Sequence, residues 1–306
     1  VTDRLAQQLS DNGARQRQES ILDKITEWLK TMLVEGIITN LSGMFDNVNQ
    51  QVGEIAGQVG LTPAAWNAGV FSMIRSLSES VIIPIAGVIL AFVMTYELIQ
   101  MVIDRNNLHD IDTWIFFKWI FKTFVAVLLV THTFDIVMGI FDMAQSVVNS
   151  ASGVISADAS VDLATTVADL QTRLTAMELG PLFGLWFQSL FIGFTMQALS
   201  ICIFLVIYSR MIEIYLVTSV GPIPMATMVN REWGGMGQNY LRSLLALAFQ
   251  AFLIMVCVGI YAVLVQNIAT ETDIIKAVWT TLGYTVLLCF TLFKTGSLAK
   301  SIFNAH

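Results

Sequence analysis

The sequence predicts an all-α, polytopic integral membrane protein with about five transmembrane helices and amphipathic helices outside the bilayer. Three observations carry that reading. Hydrophobic residues make up 55% of the 306 and charged residues only 13%, against roughly 25% charged in soluble domains, and the mean hydropathy is +0.69. Five apolar runs are each long enough to cross about 30 Å of hydrocarbon, which takes about 20 residues. Lys and Arg collect on alternate connections between those runs, as membrane orientation requires.

Taken in order, residues 1–70 form an extramembrane, amphipathic-helical region and residues 71–306 the transmembrane domain. Ile21, Ile25, Trp28, Leu29, Met32 and Leu33 recur at helical spacing with Asp23, Lys24, Glu27 and Lys30 opposite, the pattern of an amphipathic helix. Val48, Val52, Ile55 and Val59 repeat it more weakly among glycines. Each stretch suits either the membrane surface or a packed partner. Within this sequence the stretch before them shows no apolar segment with a small-residue cleavage site, and the first span is expected to direct insertion.

Thr62 and Pro63 open a helix as N-cap and first-turn proline. It leads into the first span, about 81–103, where Pro84 should introduce a kink. The remaining spans are about 114–141, 182–208, 244–265 and 274–293. Between the second and third, Val161, Ala164, Val167, Leu170, Leu174 and Met177 predict a further amphipathic helix in an acidic connection. Arg105, Lys118 and Lys122, then Arg210, Arg231 and Arg242, then Lys294 and Lys300 mark the cytoplasmic side. The N-terminus is therefore expected outside and the C-terminus inside.

A net charge of −7 without a basic stripe argues against direct reading of nucleic acid. Cys202, Cys257 and Cys289 are widely spaced in apolar runs and read as small core residues, not as metal ligands or a disulfide framework. Glu232-Trp233-Gly234-Gly235 lacks the Gly-Lys-Ser/Thr ending of a phosphate loop, and hydrolase and metalloprotease signatures are absent. The expectation is a protein that is not an enzyme and uses no metal or cofactor.

Charge inside a span is costly and marks candidate function. The second span holds Lys118, Lys122, His132 and Asp135. Either the lysines reach the inner surface while His132 and Asp135 sit near the outer one, or this helix faces a water-filled interior with His132 and Asp135 paired, three residues apart. Glu97, Gln100, Gln188, Gln197 and Gln250 are further intrusions, suited to hydrogen bonds between helices. Arg210 and Glu213 are spaced to pair where the third helix leaves the bilayer. Gly221, Pro222 and Pro224 then break that helix. Uninterrupted from Leu182 to Val220 it would be about 58 Å long, so it projects beyond the membrane or turns back.

Arg210-x-x-Glu213-Ile-Tyr, Gly221-Pro-Ile-Pro224, Asn230, Tyr240-Leu241 and Leu247-Ala-x-x-Gln250 together resemble the TrbL and VirB-type polytopic membrane component of type IV secretion systems, in its Gram-positive conjugative-element branch. The resemblance is strongest over about Leu182 to Val265. It implies a platform or channel component in the bacterial cytoplasmic membrane that forms a homo-oligomer. It also implies other secretion subunits, separate ATPases among them, as partners in moving DNA or protein. The alternative is a secondary transporter of a small solute, whose sign would be an internal repeat with paired broken helices. The sequence has one strong break, and five spans do not halve.

Overall fold

The computed structural model describes residues 2–103, 113–156, 170–268 and 273–305. Among these, every regular element is helical. Two compact units divide the chain: Val1–Gln51, Ser160–Ser200 and Ala262–Val286 form one, and Val52–Ala159, Ile201–Tyr261 and Leu287–His306 the other. Five helical stretches are long and apolar enough to cross a membrane: Ala68–Ile103, Thr113–Thr131, Leu179–Ser219, Gly234–Asn267 and Ile275–Ile302. Large side chains on them stay exposed, Phe194 at 76% among them, with Val88, Phe92, Phe121 and Phe290. This surface suits lipid, not water.

The N-terminal region is one helix, α1 (Thr2–Val59), where two amphipathic pieces were expected. No proline interrupts it, and each interior glycine costs only about 1 kcal/mol, which packing offsets. The first unit buries Val34, Ile37, Leu41, Met44 and Val48 from α1, a spacing of three and four that lays one stripe into the core. Gly36 lets Trp186 approach: a Cβ there would meet the indole Nε1 at 2.8 Å. Asn40 donates to Ser189 Oγ at 2.9 Å. The earlier stripe of Ile21, Ile25, Trp28 and Met32 lies exposed.

In the second unit, Thr62 caps the short α2 (Pro63–Trp66), and Asn67 caps α3 (Ala68–Leu77) by accepting from the Val70 amide at 3.0 Å. A π turn, Ser78–Ile82, then joins α3 to α4 (Ile83–Ile103). It absorbs the donor that Pro84 lacks, so the first span continues as one path of 36 residues.

The second span departs from expectation. Instead of running from Trp114 to Phe141, α5 (Thr113–Thr131) stops at His132 and α6 (Thr133–Ser156) begins anew. The Thr131 hydroxyl donates back to the Val127 carbonyl and that of Thr133 to Leu129, a pattern that bends helices. α6 is amphipathic. It buries Phe134, Val137, Phe141 and Val148 while Asp135 and Asp142 face outward. Of the predicted helix around 161–177, Val161, Ala164 and Val167 lie outside the described residues, as does Arg105. Residues 170–175 are helical, part of α7, with Leu174 buried. The chain then enters α8 (Leu179–Ser219), α9 (Pro222–Thr227), α10 (Gly234–Ile268) and α11 (Ile274–Ile302).

Candidate functional site

The predicted break falls where α8 gives way to α9, in the second unit. Its backbone logic is local. Gly221 N–H donates to the Thr218 carbonyl at 3.2 Å and Ile223 N–H to Val220 at 3.1 Å. These shorter-range bonds serve carbonyls that Pro222 and Pro224, having no N–H, leave open. Pro222 is the first residue of α9, where a missing donor costs little. Gly221 has ordinary right-handed angles, φ −51 and ψ −38, so glycine is needed there for space. A side chain would run into the Tyr240 hydroxyl and meet Thr133 Cγ2 at 2.9 Å. Tyr240 in turn donates to the Val217 carbonyl at 3.2 Å, tying α10 to the end of α8.

Beyond the break, α9 and the turn that follows are seated on α4 and α5. Ala86, Leu90 and Met94 of α4, Ala126 and Val130 of α5 and Ala226 of α9 form one buried cluster. Three fully buried alanines let these helices come close, as small residues do between membrane helices. Trp119 Nε1 donates to the Met94 carbonyl at 2.8 Å and fastens α5 to α4.

The seat ends in a polar lock. Glu97, 4% exposed, accepts from Lys122 Nζ and from Asn230 Nδ2 at 2.8 Å. The Asn230 amide oxygen accepts from the backbone N–H groups of Glu232 and Trp233 at 2.9 and 3.0 Å, which fixes the turn. Glu232 accepts from Gln100 at 2.6 Å and from the Tyr96 hydroxyl at 3.1 Å. Trp233 stacks on Tyr96 with ring centroids 5.7 Å apart. The turn between α9 and α10 is thus held by one buried carboxylate bonded to both neighbours, the arrangement that makes buried charge tolerable.

The residues singled out from the sequence separate. Lys122 belongs to the lock, and Gly221, Pro222 and Pro224 to the segment it holds. Lys118 is exposed one turn earlier on α5. His132 and Asp135 are not paired: the imidazole Nδ1 lies 3.0 Å from Thr131 Oγ1, and Asp135 pairs with Arg75 at 3.5 Å. His132 lies in the break between α5 and α6, whereas Asp135 is in the first turn of α6. Arg210 and Glu213 do not pair either. Glu213 accepts from Lys300 at 3.0 Å, and Arg210 points inward to the Leu247 carbonyl at 3.3 Å. Gln250 lies elsewhere, donating to Thr295 Oγ1 at 3.3 Å. Glu97 had been read as an ordinary interhelical polar residue, and its role was missed. No local spacing announced it: Glu97 and Lys122 stand 25 residues apart in the chain and meet only because α4 and α5 pair.

A family model described as TrbL/VirB6 plasmid conjugal transfer like protein matches residues 48–222, more than half of the chain. The chain belongs to this family. The TrbL/VirB6 match runs from the end of α1 to Pro222 and includes Glu97, Lys122, Arg210, Glu213 and Gly221. It overlaps the expected Leu182–Val265 stretch only to Pro222, so Pro224, Asn230, Tyr240 and Gln250 lie beyond its end. Comparison with curated proteins and with solved structures finds no match.

Proposed function

We propose that this TrbL/VirB6 family member is a membrane platform or channel component of a type IV secretion apparatus that helps carry DNA or protein across the bacterial cytoplasmic membrane. The family match carries this reading, and five apolar helices supply the membrane setting. The chain acts as a structural part of the machine, not as an enzyme, and needs no cofactor. Separate ATPases energise it and other secretion subunits surround it.

The protein works as a homo-oligomer. Lys118 is exposed on the second span among the large apolar side chains of Trp114, Phe117 and Phe121. A water-filled interior between copies relieves the cost of leaving it in lipid. Residues 1–70 lie outside the bilayer on its outer side, and the C-terminus lies inside, as the Lys and Arg distribution supports.

Deleting the gene tests the reading. Transfer of the element should be lost while nicking and processing of its DNA continue. Complementation should need the whole membrane region, and a fragment ending before Leu182 should fail. Undiminished transfer in the deletion strain would overturn the proposal.

A further inference from the structure

Arg210 is a buried cation whose expected partner is engaged elsewhere. Its side chain is 5% exposed, Nη2 donates to the Leu247 carbonyl at 3.3 Å, and Nε is buried without a hydrogen-bond partner. Glu213 is held by Lys300. A guanidinium carries five N–H donors, and leaving one unsatisfied in an apolar core costs more than a single long bond returns.

A small cavity of about 10 Å³ lies against this side chain, lined among others by Arg210, Gln145, Val59, Leu61, Pro63 and Ala251. Its size is about that of one water molecule. Val59 is the last residue of α1, so the cavity meets the carbonyl end of that helix, which carries partial negative charge. Gln145 donates through Nε2 to the Gly60 carbonyl at 2.7 Å, leaving its amide oxygen as an acceptor. An unpaired donor, acceptors and room for one small molecule thus meet in one place.

We propose that the cavity is a buried water site, in which one ordered water accepts from Arg210 Nε and donates to the acceptors at the end of α1 and at Gln145. Only a group that both accepts and donates can join a guanidinium to carbonyl oxygens. A chloride ion would need more room and would be repelled by the carbonyl end of α1. The water therefore bolts α1 and α6 to α8 at the level of Arg210.

The test is a cycle of cavity-filling substitutions on the full chain in nanodiscs, followed by thermal unfolding. Ala251→Val should displace the water and lower Tm in the wild type, whereas in Arg210→Met the same change should be neutral or stabilising. An equal fall in both backgrounds would mean overpacking, and a rise in the wild type would mean a dry cavity. Either overturns the proposal, as would a change in Tm when chloride is replaced by gluconate at constant ionic strength, which would place an anion there. If Arg210→Met does not fold, a density map of the wild-type chain that resolves ordered water decides: one peak within hydrogen-bonding distance of Nε supports the site, and an empty cavity overturns it.

Discussion

Glu97 shows what a single buried charge does in this molecule. It bonds to Lys122 and Asn230, so one carboxylate connects α4, α5 and the turn before α10. Glu97→Gln keeps an acceptor but removes the charge opposite Lys122. The expected loss is about 1–3 kcal/mol, below the ~3–5 of a fully buried pair because Lys122 is 39% exposed. Thermal unfolding should register it, and amide exchange should rise first in residues 228–233. Replacing both partners by leucine should recover only part of the loss: an apolar pair leaves no orphaned charge but leaves the buried Asn230 amide without its acceptor. Gly221→Ala should likewise destabilise by forcing Tyr240 aside, and adding Tyr240→Phe should return part of that stability by removing the hydroxyl in the way. Unchanged unfolding of Gly221→Ala would mean that α10 does not approach the break so closely. Neither lock nor clash was legible in the sequence. Charges inside spans announce themselves, but their partners depend on how helices rotate and pair. Local spacing favoured Glu213 for Arg210 and His132 for Asp135, and tertiary contacts chose Lys300 and Arg75 instead.

At the scale of elements, the apolar runs were the most legible feature, because crossing a bilayer demands a length that composition records directly. The break at Gly221 to Pro224 was legible for the same kind of reason, since proline lacks a donor wherever it stands. The end of α5 was not. Thr131, His132 and Thr133 are compatible with a helix, and only the back-bonded hydroxyls of Thr131 and Thr133 mark the place where α5 gives way to α6. Pairing between helices was equally hidden. Cys202 of α8 and Cys289 of α11, read as small core residues of widely spaced runs, lie near each other. Mild oxidation of the purified protein should therefore link Cys202 to Cys289 within one chain and leave Cys257 free, as read by peptide mass spectrometry. Thiols at 202 and 289 that both stay free, or that link only between copies, would contradict the pairing of α8 with α11.

At the scale of the whole molecule, family membership places the chain in conjugal transfer, and under the proposed function one segment of the fold has a part in it. The segment from Gly221 to Trp233 has prolines that stop one helix, small residues that seat the next, and a polar lock that holds the turn. The proposed homo-oligomer predicts that the purified protein runs as a multimer in several mild lipid-like conditions, and a strictly monomeric mass would remove the support for the assembly. The orientation is open to impermeant thiol labelling of single cysteines near Asp158 and His306, both outside the described residues. The site near Asp158 should label in intact cells and the C-terminal site should not. The central claim is that the broken helix is a mechanical part of transfer. It is tested most directly by conjugation frequency in a strain carrying Pro222→Ala with Pro224→Ala. With both donors restored, α8 can run on past Gly221 and displace α9 from its seat. At membrane levels equal to wild type, transfer should fall sharply; transfer at the wild-type frequency would contradict the account.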